Sequence, residues 1–290
     1  MKAQTEVLGM LQGRCLCGSI RYRYGGDHRA LTVCHCGMCR RWHGSLGAYV
    51  GGKPGDYHLE GAELLHWYTS SADAERAFCT ICGSKLFWRF KDGSAMDVTA
   101  GSLDQPTGLS TTAHIWAAHK GDYYAMPDDA APFVESAGEA AQQNDPRPPV
   151  AKDVAEHHGG CLCGAITFDI RGKMRDVVWC HCGQCLHWHG HFGGYTASTW
   201  PDIQLRGADK IAWYNSSDTA RRGFCRDCGS SLFWEPSHRR HISICAGALD
   251  LPTGLVTARH VFAEDKGDYY RIADDAAQTP GSMAANPVTF

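Results

Sequence analysis

Residues 34–39 read CHCGMC and residues 180–185 read CHCGQC, so three thiols crowd into six positions and the arrangement recurs 146 residues later (180 − 34). A C-x-C-G pair precedes each run (Cys15, Cys17; Cys161, Cys163) and a C-x-x-C-G pair follows it (Cys79, Cys82; Cys225, Cys228). Cysteines at such spacings bind metal, form cross-links or carry out redox chemistry. The opening MKAQTEVLGMLQGRC lacks the basic-then-apolar order of a secretory leader, so the 290-residue chain with its fifteen cysteines is expected in the cytoplasm, where disulfides are rare. Metal binding is the leading expectation. A C-x-x-C redox centre is the rival, but it lacks the βαβ context expected around it and leaves the C-x-C pairs unexplained.

Each copy carries seven of these cysteines, which divide into four plus three. A closed structural zinc takes four ligands, whereas a working zinc has three protein ligands and an exchangeable position. The two outer pairs, short and far apart in sequence, are the natural staple: Cys15, Cys17, Cys79 and Cys82 in the first copy, Cys161, Cys163, Cys225 and Cys228 in the second. That leaves Cys34, Cys36 and Cys39, and Cys180, Cys182 and Cys185, as three-ligand sites. Two structural and two potentially catalytic zincs per chain are expected. Zinc on three thiolates is a weak Lewis acid, so hydrolysis is not expected; exchange of its fourth ligand for an incoming thiol is.

The order G-x-C-x-C-G, C-H-C-x-x-C and F-C-x-x-C-G-S, as in Gly13–Gly18, Cys34–Cys39 and Phe78–Ser84 and again in the second copy, resembles the glutathione-dependent formaldehyde-activating enzyme and centromere protein V family. The resemblance implies an all-β zinc fold, glutathione as substrate or co-substrate at the three-cysteine zinc, and carbon–sulfur lyase activity joining formaldehyde to glutathione or reversing that step. The alternative is a zinc-stabilised thiol carrier or protein-interaction module without catalysis.

Around the triads, His43 and His189, each in a WHG stretch, are candidate proton carriers; the competing reading packs them against Trp42 and Trp188. His35 and His181 stand between ligands and should point away from the ion, and His114 and His260 recur with similar ambiguity. Arg40 and Arg41 follow the first triad where the second has Leu186 and His187. As candidate holders of glutathione carboxylates they predict two functionally unequal sites. Arg76 and Arg222 are shared cations that could meet a substrate carboxylate, with a solvated surface place the commoner outcome for an arginine. Trp67-Tyr68 and Trp213-Tyr214 are expected in the core, KGDYY (120–124, 266–270) as exposed turns ending in packed tyrosines, and Cys245 as a core thiol.

What must position these groups is a duplicated unit. Sliding the chain by 146 residues aligns Gly13–Ala130 with Gly159–Ala276 without a gap, with about 55 of roughly 118 positions identical. The expected layout is a first zinc domain over 10–130, a linker over 131–157 with the stiff Pro146–Pro149 run, a second zinc domain over 158–276 and a tail over 277–290. Short alternating or aromatic runs (Ile20, Tyr22, Tyr24; Ile166, Phe168, Ile170; the LFW pair) separated by glycines read as strands, with no long helical period. Fold class is therefore all-β, two tandem copies related by a pseudo-twofold, and 43% apolar residues suffice to bury a core in each. A net charge of −3 gives no field for nucleic acid, no apolar run suits a membrane, and duplication suggests a monomer containing its own dimer.

Overall fold

A computed structural model describes residues 10–128, 130–133 and 156–282. The Pro146–Pro149 run of the expected linker and the end of the tail lie outside these residues. Each half folds as a three-stranded antiparallel sheet and an eight-stranded mixed sheet. In the first half the small sheet is Leu11–Arg14, Arg21–Tyr24 and Tyr57–Glu60. The large one runs, in spatial order, Ala131–Pro132, Thr111–Ile115, Leu31–Cys34, Gly47–Gly52, Met96–Thr99, Lys85–Phe90, Ala74–Cys79 and Leu65–Thr69. The second half repeats both sheets, the small one from Glu156–Gly160, Thr167–Arg171 and Ile203–Arg206. The fold is all-β, with two short α-helices, α1 (Gly37–His43) and α2 (Gly183–His189), among the described residues.

Alternation explains the strands: Arg21–Tyr24 buries both tyrosines and exposes both arginines, so one face is committed to the core. Strand Leu31–Cys34 lies between antiparallel Gly47–Gly52 and parallel Thr111–Ile115, which brings the first thiol of the triad to the middle of the large sheet. Each helix ends at a glycine with φ near +75° (Gly44, Gly190), a left-handed closure that turns the chain back into the next strand. Ala277–Gln278, at the start of the expected tail, pairs in parallel with Thr257–Val261; Ala131–Pro132, at the start of the expected linker, does the same with Thr111–Ile115. Both stretches add an edge strand because the backbone of the preceding strand offers unpaired groups there.

The apolar interior is one continuous cluster spanning both halves, rather than a core in each. Reciprocal contacts make it so. Trp42 Nε1 donates to the Cys228 carbonyl and Trp188 Nε1 to the Cys82 carbonyl, both at 2.8 Å. Phe78 lies against Gly229 and Phe224 against Gly83, so closely that a Cβ at either glycine would overlap the ring, and both glycines hold positive φ. Backbone bonds Gly101 N–H to Gly190 O and Gly247 N–H to Gly44 O, at 2.9 Å each, complete the seam.

The KGDYY stretches are more than exposed turns. Asp122 accepts from Thr253 N (2.8 Å), Thr253 Oγ1 (3.0 Å) and Gly254 N (2.9 Å), and Asp268 from Thr107 Oγ1 and Gly108 N (2.7 Å each). Each half thus ties down the PTGL turn of the other, while Tyr123 and Tyr269 are buried behind.

Candidate functional site

Four cysteine clusters form, with the membership expected from spacing, and within each cluster all the sulfurs lie within 4.8 Å of one another. In the four-sulfur clusters, Cys15 and Cys17 sit in a turn that closes through Cys15 N–H to Ile20 O, and Cys79 and Cys82 flank the turn between Ala74–Cys79 and Lys85–Phe90. The turn geometry makes the first two sulfurs converge. Cys17 and Cys79 sulfurs are 3.8 Å apart, and Cys163 and Cys225 are 3.7 Å apart. A tetrahedron with metal–sulfur bonds of about 2.3 Å has edges of roughly 3.8 Å, so the donor set fits zinc. Ser84 Oγ and Ser230 Oγ accept from the backbone N–H of Leu16 and Leu162 at 2.9 Å, which locks each C-x-C turn onto its C-x-x-C turn.

The three-sulfur clusters are built across three local structures. Cys34 ends a strand, Cys36 caps α1 and its sulfur accepts from Cys39 N, and Cys39 lies in the first turn of the helix. Cys180, Cys182 and Cys185 take the same positions on α2, where Cys182 stands at the N-cap without a side-chain cap bond. The thiols of Cys34 and Cys36, with Arg76 behind them, hold the Cys39 sulfur well below its ordinary range; Cys180, Cys182 and Arg222 do the same for Cys185. These sites fit a metal with three thiolates and an open side. That side faces a cleft of about 640 Å3 in the first half and about 280 Å3 in the second.

Beside each triad stands a tyrosine that sequence reading overlooked. Tyr49 Oη is 3.8 Å from Cys39 Sγ, accepts from Arg76 Nη1 at 3.1 Å and lies 2.6 Å from His43 Nε2. In the second half Tyr195 Oη is 3.8 Å from Cys185 Sγ, 2.9 Å from Arg222 Nη1 and 2.7 Å from His189 Nε2. Nδ1 of His43 meets the His189 carbonyl, and Nδ1 of His189 the His43 carbonyl, so each Nδ1 carries the proton and each Nε2 accepts from its tyrosine. Burial holds both imidazoles neutral, with His43 pushed down to about 4 and His189 to about 3, and pushes both phenols well above their usual range. His43 and His189 therefore stand behind a tyrosine rather than at the open side. Glycine-x-tyrosine recurs at 47–49 and 193–195, a signal the repeat alignment contains.

Arg40 and Arg41 are not in the cleft. Arg40 is buried and Nη1 donates to the carbonyls of Gly247 (3.2 Å) and Leu249 (2.7 Å); Arg41 bonds the Ala248 carbonyl and pairs with Asp250. The helix that aims Cys39 at the cleft turns the next two residues toward the other half, so they hold the seam and not a substrate. Arg76 and Arg222, expected at the surface, are instead 3% and 2% exposed and reach the triads. Their guanidiniums also lie over Trp42 and Trp188, at 5.5 and 5.0 Å.

His35 and His181 point away from the sulfurs. His35 bridges Tyr124 Oη (2.7 Å) and His114 Nδ1 (3.0 Å), and His181 bridges Tyr270 Oη (2.7 Å) and His260 Nδ1 (3.0 Å). Trp67 stacks near Phe87 under Arg89, and Trp213 near Phe233 under Arg221. Cys245 is buried against Gly44 of the first half.

The fold is a duplicated β architecture whose four cysteine clusters could each hold a metal ion. The sequence pattern of the glutathione-dependent formaldehyde-activating enzyme family matches residues 10–119 and again 156–265, and the chain belongs to that family. It is similar to an uncharacterized lyase of Schizosaccharomyces pombe, 33% identical over 84 residues, covering 28% of this chain and 59% of that protein. A Halomonas elongata protein provisionally described as a glutathione-dependent formaldehyde-activating enzyme is 34% identical over 90 residues, covering 28% of this chain and 56% of that one. The chain thus spans a little over half the length of these relatives. Among solved structures, a Rhodobacter sphaeroides protein aligns over 34% of this chain and 98% of its own, at 21% identity and a TM-score of 0.26. No helix among the described residues is long and apolar enough to cross a membrane.

Proposed function

We infer that the chain is a zinc-dependent carbon–sulfur lyase acting on glutathione, or a related thiol, and its aldehyde adducts. The observation that carries this reading is the three-sulfur cluster open to a cleft, with a buried arginine–tyrosine pair beside it, present in both halves. Zinc held by Cys34, Cys36 and Cys39, or by Cys180, Cys182 and Cys185, would supply a coordination position at which a thiol binds as its thiolate. The four-sulfur clusters would hold structural zinc.

The protein's own groups favour sulfur as an anion there. Tyr49 Oη accepts from Arg76 and gives its proton to His43 Nε2, so the surface next to Cys39 is a neutral hydroxyl backed by a cation, without a carboxylate in contact. Sulfur arriving at the open side meets a nearby arginine cation behind the hydroxyl, which offsets the negative charge of the three thiolates. In the forward direction the sulfur bonds to the aldehyde carbon, the C=O π pair goes to oxygen, and the thiol's proton ends on that oxygen as a hydroxyl. The reverse step breaks the same C–S bond and releases aldehyde and thiol. Trp88 and Trp116 in the first cleft and Trp234 and Phe262 in the second supply apolar walls against which the rest of the thiol can pack.

Formation and breakdown of S-hydroxymethylglutathione, followed by NMR with the zinc-loaded chain, tests the proposal. Cys36→Ser and Cys182→Ser together should reduce the rate to that of the uncatalysed reaction while the four-sulfur clusters keep their zinc. Full activity in that double variant overturns it.

A further inference from the structure

The two clefts carry opposite electrical linings. In the first, the charged side chains are Arg76, Asp73 and Asp97: one cation and two carboxylates. In the second they are Arg175, Arg222 and Arg239, with no carboxylate among the described residues. The difference traces to three aligned positions, 73/219, 93/239 and 97/243, and to what the arginine shared at 29/175 faces. Arg29 and Arg175 occupy the same place in the repeat, as do Asp97 and Ser243. Arg29 forms an ion pair with Asp97. Arg175 meets only neutral oxygens, donating to the carbonyls of Asp176 (3.3 Å) and Tyr195 (3.0 Å), and no carboxylate among the described residues pairs with it. Glycine 93 of the first half is replaced by Arg239, which adds a second cation to the rim. Burial, with Arg239 and Arg259 nearby, pushes the Arg175 guanidinium down to about 10, the signature of a cation held without a counter-ion.

A cleft with a half-buried, unneutralised arginine is preorganised for an anionic group, and a carboxylate takes a guanidinium in two parallel hydrogen bonds. A cleft whose arginine is neutralised and which adds a further carboxylate repels the same ligand. We propose that the two sites divide thiols by charge: the second cleft takes carboxylate-bearing thiols such as glutathione, with Arg175 as its specificity-determining residue, and the first takes uncharged or amine-bearing thiols. This rests on the thiol-site reading above and reverses the inequality that Arg40 and Arg41 suggest in the sequence.

The test is titration calorimetry on the zinc-loaded full chain with two matched probes, glutathione and its diethyl ester, which differ in the charge of the two carboxyl groups and keep the thiol. Cys36→Ser isolates the second cleft and Cys182→Ser the first. The second cleft should bind glutathione about tenfold more tightly than the ester, a preference that weakens with salt. Arg175→Gln or Ser243→Asp should abolish it, and Asp97→Ser in the first cleft should create it. Because those three substitutions lie outside both metal clusters, they are also read in the chain with both triads intact. Equal ratios in the two clefts, or a ratio indifferent to Arg175→Gln and Ser243→Asp, overturn the division by charge while leaving the thiol reading intact. Absence of binding by both probes to either cleft overturns the thiol reading and this proposal with it.

Discussion

The hydroxyl of Tyr195 accepts a hydrogen bond from Arg222 at 2.9 Å, and the repeat places the same bond, at 3.1 Å, between Tyr49 and Arg76. Phenylalanine at either tyrosine removes the partner of a buried guanidinium nitrogen, and the Nε of each arginine has no hydrogen-bond partner even in the native fold; Arg222 keeps Gln184 and Cys185. Tyr49→Phe and Tyr195→Phe should each cost about 1–3 kcal/mol of stability and slow turnover at their own site by roughly tenfold to a hundredfold. Zinc content should not change. Denaturant melts, metal analysis and single-site kinetics check this; an unchanged rate with intact zinc would remove the tyrosines from the site.

Closed and open clusters should respond differently to loss of one ligand. Cys82 and Cys228 join elements far apart in sequence, so Cys82→Ser should forfeit several kcal/mol, because structural metal binding is folding free energy. Cys36→Ser removes a ligand at the cleft and should leave the melting temperature within a few degrees of the parent. Each variant should drop from four zincs to three. Metal analysis beside thermal melts provides the comparison, and equal destabilisation by both would erase the distinction between staple and working site.

His191 is fully enclosed, its Nδ1 2.9 Å from Tyr269 Oη, and burial together with the neighbouring histidines holds its pKa well below the usual imidazole value. An unfolded chain takes up this proton near pH 6.5 and the folded chain does not. Stability should therefore be complete above that pH and fall as pH drops below it. Because the buried His43 and His189 contribute a fall of the same sign, His191→Phe should make that part of the stability–pH curve less steep by about one proton's share; denaturation midpoints between pH 5 and 7.5 measure the slope.

Lys85 is buried on the seam, donating to Gly83 O (2.7 Å) and Ser231 Oγ, with Trp188 beneath it. Burial pushes its pKa down to about 7. Between that value and the unfolded value of about 10.4 the unfolded chain binds the extra proton, so stability should rise with pH across this window. Lys85→Met should remove the rise and raise the melting temperature at pH 7, since a buried cation without a counter-charge gives way to an apolar side chain of similar length.

The Asp122 carboxylate takes three hydrogen bonds from the opposite half. Asp122→Ala should leave two backbone donors without their acceptor and cost about 1–3 kcal/mol, with Asp122→Asn recovering part. Urea midpoints of the two variants test the ranking.

Much of this was legible in the sequence for a reason that is physical: metal ligands are chosen by residue type and spacing. All fourteen clustered cysteines fell into their expected groups, and the strands followed their alternation. Arg40 and Arg41 misled because proximity in sequence to Cys39 says nothing of direction, and a helix turns consecutive residues to different faces. For Arg76 and Arg222 residue type favours the surface, and only the tertiary fold brings a tyrosine and three sulfurs to them. The short helices escaped notice since seven residues show hardly two turns of periodicity. Asp122 and Asp268 serve a contact between halves, which no local pattern reports.

The seam closed by Trp42 and Trp188 has a further consequence. In an assembly of two identical chains every substitution is felt twice, once on each side of the axis, so an advantageous change at one mouth is forced upon the other. Here a single polypeptide supplies both sides, and a gene change such as serine for aspartate at 243 strikes once. Fusion lets the two openings drift apart in preference while the packing between them stays nearly mirror-like.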